Sequence, residues 1–163
     1  MGVSTRWLDE RQLAAWVRLA AVMELLPAAL DSQLRRDAGL THFEYFCLAT
    51  LSEAPERTLR MTALAQQTNA TLPRLSHVVR KLEERGFVER FPCPQDRRAT
   101  NARLTDQGWE TIVATAPGHV AAVREAVIDA LTPEQVDQLH AIAEAVLGRI
   151  DPDGAMTVFR REG

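Results

Sequence analysis

Cysteine, tyrosine and glycine-rich loops are scarce in this chain. Its 163 residues hold two cysteines, Cys47 and Cys93, and one tyrosine. The cysteines stand far apart, with no histidine or cysteine at metal-ligand spacing around them, which excludes a disulfide framework and a zinc site. A Gly-rich phosphate loop, a nucleophile elbow and a paired His–carboxylate spacing are all missing, so no catalytic, metal or cofactor residues are expected and an enzyme is the disfavoured class. No uninterrupted apolar run approaches the roughly 18 residues of a membrane span, and Arg6, Asp9, Glu10 and Arg11 place charge ahead of any apolar stretch. The expectation is a soluble protein of the reducing cytoplasm, with no export leader and no membrane segment.

What the chain does have is enough apolar material to fold unaided: 46% of its residues are hydrophobic. Its formal charge of −3 hides an asymmetry. From Arg74 to Arg103 eight bases (Arg74, Arg80, Lys81, Arg85, Arg90, Arg97, Arg98, Arg103) face four acids (Glu83, Glu84, Glu89, Asp96), so this window is +4 and the rest is −7. A basic patch on an acidic body is the electrostatic form of a DNA-binding module joined to something else; a solvated helix face is the competing explanation.

Helical spacing dominates the pattern. Between Trp7 and Arg36 the residues Leu13, Trp16, Val17, Ala20, Leu30 and Leu34 predict one long helix or two, with a kink near Met23 to Pro27 and a stop at Gly39. Thr41-His42-Phe43-Glu44 has the form of a capping box that opens a second helix. Leu59 to Gln67 predicts a short helix, Thr68-Asn69-Ala70 a turn, and Thr71 the N-cap of a helix running to Glu84 or Arg85. Asn tolerates the left-handed backbone such a turn needs. The last of these helices has an apolar stripe of Leu75, Val78, Val79 and Leu82, which leaves Arg74, Ser76, His77, Arg80 and Lys81 facing outward. Phe87–Phe91 and Thr100–Leu104 read as strands joined by a Pro-Cys-Pro-Gln-Asp-Arg-Arg loop, a wing. Thr105 begins another helix, with a bend or break expected at Pro117-Gly118, and Thr132-Pro133-Glu134-Gln135 opens the last. These outer helices hold more apolar surface than a winged helix needs, which points to a dimer interface. The tail beyond Ile150, with Arg160-Arg161, is expected to fray or to pack on a partner.

The chain resembles the MarR-type (multiple antibiotic resistance regulator) winged-helix transcription factors over nearly its whole length. The resemblance rests on Leu64-Ala65, on Lys81-Leu82-Glu83-Glu84-Arg85-Gly86-Phe87-Val88-Glu89-Arg90, on Asp96-Arg97-Arg98 and on Leu104-Thr105-Asp106-Gln107-Gly108, in that order and spacing. It implies a mainly α fold with a small β wing: a winged helix-turn-helix plus a helical dimerisation region formed by the N- and C-terminal helices. Residues 1–163 would then be a single subunit, with 7–38 and 105–150 as dimerisation helices and 41–104 as the DNA-binding region. The recognition helix would span about 71–85 and the wing about 87–104. It also implies a homodimer gripping a roughly palindromic operator in double-stranded DNA, more in the manner of a repressor than an activator. The DNA-binding set would be Thr71, Arg74, Ser76, His77, Arg80, Lys81, Arg97 and Arg98, with Asp96 structuring the wing. Such a position suits Arg98 to a narrow minor groove, and Asp96 to holding a neighbouring basic side chain. Ser76-His77 stands where the family often has Thr-Arg, so base preference is expected to differ.

Three further readings compete at particular residues. Trp16, His42, Phe43 and Phe46 would lie near the junction of the dimerisation helices and the winged helix, where relatives often bind aromatic or phenolic effectors; simple core packing is the alternative. Cys93, taken as an exposed thiol near Arg97 and Arg98, invites a redox-sensing role, against an incidental loop residue. Cys47 reads as a small core residue, and His119 and His140 as solvated or interface histidines. A winged-helix interaction module without DNA binding is the remaining class, and the outward basic residues count against it.

Overall fold

The computed structural model of the chain describes residues 4–156, so the tail residues Arg160-Arg161 lie outside the described region. Six α-helices and three strands follow in the order α1 (Glu10–Ala38), α2 (His42–Glu53), β1 (Thr58–Arg60), α3 (Met61–Gln67), α4 (Leu72–Glu84), β2 (Val88–Cys93), β3 (Asp96–Leu104), α5 (Asp106–Ala126) and α6 (Pro133–Ile150). Single turns of 3₁₀ helix at Pro55–Arg57 and Ile128–Ala130 connect them. The mainly α class with a small sheet is as expected.

Most helix starts are built by threonine. Thr41 and Thr132 each form a reciprocal capping box, with Glu44 and Gln135 respectively, while Thr71 accepts from Arg74 N and Thr105 from Gly108 N. Gly39 ends α1 with a φ of 63°, and Asn69 sits in the α3–α4 turn with a φ of 50°, the left-handed geometry anticipated for it. One core joins α2, α3, α4 and the sheet: Leu48, Leu51, Leu64, Leu75, Val79, Leu82, Val88, Ala102 and Leu104 are all buried. Cys47 belongs to it, and burial pushes its thiol up to about 12.

Several expectations need correction. Leu59 and Arg60 are not helical. They form β1, which pairs antiparallel with β3 (Thr58 with Arg103, Arg60 with Asn101), so the sheet has three strands in the order β1-β3-β2. Pro117-Gly118 does not break α5, which runs unbroken from Asp106 to Ala126. At Gly118 α1 comes close: a Cβ there would lie 3.5 Å from Asp37 Oδ2 and 3.7 Å from Gln33 Nε2. Packing between the two helices therefore overrides the local breaker signal. Pro27 likewise lies inside α1, which forms one helix and not two.

Charged residues interrupt every apolar run, yet α1 as a whole is long and apolar enough by composition to pass for a membrane span. Between Arg11 and Asp31 only Arg18 and Glu24 are charged, and α1 contains an 18-residue window of mean hydropathy 1.6 that is 6% buried. A helix this apolar and this bare requires something to cover it. Within the chain only Leu30, Gln33 and Leu34 of α1 are buried, where it packs on α5 and α2, and no residue of α6 is buried at all.

At the base of the wing α5 is clamped to the turn after α4. Thr105 donates its amide to Phe87 O (3.0 Å) and its hydroxyl to Gly86 O (2.6 Å), while Gly108 lies against the same Phe87 carbonyl. This joint sets the direction in which the wing leaves the helical body.

Candidate nucleic-acid interface

The face of α4 turned away from the core carries Thr71, Arg74, His77, Arg80 and Lys81, all exposed, with Ser76 half-buried. The reason is the 3.6-residue period: Leu75, Val79 and Leu82 take the buried stripe, and the remaining positions point outward. Arg80 Nη2 lies 3.1 Å from His77 Nδ1, one turn back. The Arg74 guanidinium stacks 4.1 Å above the ring of Phe43, from the first turn of α2.

Not every base of the +4 window is available to a partner. Arg90 is held by Glu83 through two side-chain bonds (2.8 and 3.1 Å), and the carboxylate also accepts the Arg90 amide. Those hydrogen bonds hold the Glu83 carboxyl below its ordinary range. Arg103 is paired with Glu89 at 2.6 Å, and Arg85 donates to Gly39 O while covering Phe87. These three arginines serve the fold, and the outward charge is concentrated in α4 and the wing tip.

The wing is longer and tighter than the sequence suggests. Asp96, Arg97 and Arg98 belong to β3 and not to a long loop, and only Pro94 and Gln95 separate the strands. Register jumps from Pro92↔Thr100 to Cys93↔Asp96, so Arg97, Arg98 and Ala99 form a bulge with no ladder partner on β2. Pro92 has no N–H to offer the ladder at that point, which accounts for the place of the jump. Asp96 Oδ1 accepts the backbone N–H of Arg98 at 3.1 Å. It fixes the backbone of the bulge, in place of the neighbouring side chain envisaged from the sequence.

Between the wing and the start of α4 lies a cleft of about 230 Å³, lined by Leu72 and Ser76 from α4, Arg98 and Thr100 from β3, Arg90 from β2, and Arg60 from β1. Arg60 went unnoticed in the sequence because a three-residue strand shows no period. Its Nη2 lies 3.6 Å from Cys93 Sγ, and the thiol points to Gln95 Oε1 at 3.2 Å. Cys93 is thus buried (3% exposed), not an exposed loop thiol, and its neighbouring base is Arg60 instead of Arg97 or Arg98. Hydrogen bonding at Gln95, then at Asp96 and Arg60, holds its thiol below the ordinary range.

The residues taken as an effector pocket are dispersed. Phe43 serves as the platform for Arg74. Trp16 is 52% exposed on α1, fifteen residues and about 22 Å along the helix from Asp31. Phe46 is half-buried on α2. His42 instead meets His119 of α5. Its ring centroid lies 6.3 Å from that of His119, and Tyr45 lies 4.5 Å from the same imidazole. His119 is therefore a half-buried junction residue and not a solvated one; His140, beside Glu144 on α6, is exposed. His119 Nδ1 lies 3.2 Å from Gln33 Oε1, and Gln33 Nε2 donates to Asp37 Oδ2 at 2.8 Å. The Asp37 carboxylate can only accept, so the Gln33 amide nitrogen faces it and the Gln33 oxygen faces His119. Nδ1 then carries the proton in the neutral ring, and Nε2 is left to accept one.

Among the described residues no group of three or more His, Cys, Asp or Glu is arranged to hold a metal ion.

A profile described as the MarR family matches residues 40–100, from the start of α2 to the wing. The chain is similar to the crystal structure of Sco3205, a MarR family transcriptional regulator from Streptomyces coelicolor, in complex with DNA: 46% identity, a TM-score of 0.85, and coverage of 90% of this chain and 92% of that one. It is 35% identical over 80 residues to YdcH of Bacillus subtilis, an uncharacterized HTH-type transcriptional regulator, an alignment that spans 48% of this chain and 54% of YdcH. It is also 23% identical over 120 residues to the transcriptional repressor MprA of Escherichia coli (strain K12), covering 74% of this chain and 68% of MprA.

Proposed function

The chain belongs to the MarR family of transcriptional regulators, and from that premise we propose that it is a DNA-binding regulator that grips a roughly palindromic operator as a homodimer and represses transcription. One observation carries the reading: α4 keeps Arg74, Arg80 and Lys81 exposed, and a cleft lined by its Leu72 and Ser76 and by Arg98 of the wing bulge joins that helix to the wing, while Arg90 and Arg103 are tied into the fold. Thr71, Arg74, Ser76, His77, Arg80 and Lys81 would meet the major groove and its phosphates, and Arg98 a minor groove, with Asp96 holding the bulge. Binding of DNA by Sco3205 and repression by MprA support the same reading by similarity.

Dimerisation would come from α1, α5 and α6, whose apolar residues Trp16, Leu25, Ile142 and Ile150 are 52–74% exposed in the single chain. Two copies would set their α4 helices about 34 Å apart, one turn of DNA. A small aromatic or phenolic effector would act at the junction of α1, α2 and α5, around His42, by binding one spacing of those helices better than the other. The cytoplasm is the compartment we assign, consistent with two unpaired cysteines.

The test begins with selection of bound duplexes from random DNA, followed by titration of wild type and Arg98→Ala on the selected operator. The variant is expected to lose about 1–3 kcal/mol of binding while remaining a dimer. Unchanged affinity would remove the wing from the interface, and recovery of no duplex would remove DNA.

A further inference from the structure

The first turn of α2 has two faces, each in contact with a different helix. On one, His42 meets His119 of α5 at 6.3 Å, with the rings tilted by 39°. On the other, the next residue, Phe43, carries the guanidinium of Arg74 from the first turn of α4. The side chain that touches the helical body is thus one residue from the side chain that seats a proposed DNA contact.

The imidazole pair is closely surrounded. From α1, Asp31 accepts the His42 amide at 2.8 Å and is itself paired with Arg35, and Asp37 holds Gln33 against His119. From α2, Tyr45 packs on His119. Burial lowers both imidazoles below the ordinary range; proximity to His42 lowers His119 further, and Asp31 draws His42 partly back. At neutral pH the junction holds two uncharged rings. In acid it must hold two like charges or open.

Resting on the reading of the chain as an operator-binding regulator, we propose that the His42–His119 pair is an acid-sensitive latch acting on α4 through Phe43. Protons added to Nε2 of His119 and to the His42 ring separate the first turn of α2 from α5, and Phe43 then moves Arg74 out of its seat. The sign is distinctive. A protein that simply gains positive charge in acid binds the polyanion more tightly, whereas the latch makes operator binding weaker.

Fluorescence anisotropy on the selected operator, at constant salt and at about pH 7.5 and 5.5, reads the effect. Wild type is expected to lose about 10-fold in affinity on acidification, and His119→Gln less than about 2-fold, because glutamine keeps a hydrogen bond to Gln33 without taking up a proton. Phe43→Leu is expected to bind more weakly at both values, with a flattened acid response. An identical acid response in wild type and His119→Gln, or tighter binding in acid for both, overturns the latch. If His119→Gln fails to fold, His42→Gln replaces it with the same expectations. If wild type binds no duplex at either pH, the regulatory reading has failed separately, and the latch is read in the DNA-free protein. There, lowered imidazoles make stability fall as pH drops through about 6.5. A larger drop in the thermal midpoint for wild type than for His119→Gln sustains the latch, and equal drops overturn it.

Discussion

Replacing Gly108 with alanine sets two effects of opposite sign against each other. Glycine inside a helix costs about 1 kcal/mol relative to alanine, so propensity alone predicts a more stable protein. Packing predicts the reverse: a Cβ at this position would lie 2.2 Å from the Phe87 carbonyl oxygen and 2.6 Å from Leu104 Cδ1. The leucine methyl can rotate away, but the carbonyl is fixed, since it accepts the Thr105 amide at 3.0 Å. Ordinary contact requires the first turn of α5 to retreat by about 1 Å, which strains that bond and the Thr105 hydroxyl bond to Gly86 O. Overpacking of this kind costs about 1–3 kcal/mol, and a lost hydrogen bond adds about 1. Less the propensity gain, the variant is expected to be destabilised by about 1–3 kcal/mol. Urea unfolding followed by far-UV circular dichroism measures this, with subunit concentration held constant because association shifts the midpoint. A variant as stable as wild type, or more so, would refute the clamp between α5 and the base of the wing.

Salt dependence separates the exposed bases of α4 from those committed to the fold. Arg80→Ala and Lys81→Ala are each expected to make the plot of log K against log salt shallower by about 0.9, one released counterion per phosphate contact. An unaltered slope in both would turn this face away from the backbone. Glu83→Gln tests the fold's own ion pair: because Arg90 holds the carboxyl below its ordinary 4.5, its contribution is complete above that pH and is lost as pH falls through the lowered value. The pair is about one-third exposed, so screening limits the effect to under about 1 kcal/mol. Wild type and variant should therefore differ in urea midpoint near neutrality and converge in acid; a gap that stays constant to pH 2 would rule the linkage out.

Features written in local chemistry were legible in the sequence. Capping by Thr41, Thr71 and Thr132, the left-handed Asn69, the Gly39 stop and the buried stripe of α4 all depend on residues within a turn or two of each other. What escaped was set by distant pairing. β1 exists because β3, more than forty residues away, offers it a ladder; read alone, Leu59-Arg60-Met61 passes for the start of a helix. The fate of the basic residues was hidden for the same reason. Arg85 is tied down by Gly39 and Arg103 by Glu89, and neither pairing follows from charge spacing. His119 looked unremarkable because its partners, Gln33 and His42, come from helices near the other end of the chain. In the wing the sequence pointed to a loop where the structure has paired strand and bulge. Pro92 to Arg98 reads as a loop, since a ladder that jumps register leaves no alternating pattern.

The bare length of α1 bears on how the molecule comes to exist. A 29-residue helix with three residues buried, followed at the far end of the chain by α6 with none, has no interior of its own to hold it. In the proposed homodimer, the ordering of α1 and α6 and the association of two chains would be a single event, and dilution would itself act as a denaturant of those helices. On that reading a newly made subunit would wait for its partner with an apolar rod exposed, and the rate of synthesis, as well as the proposed effector, would set how much working protein a cell contains.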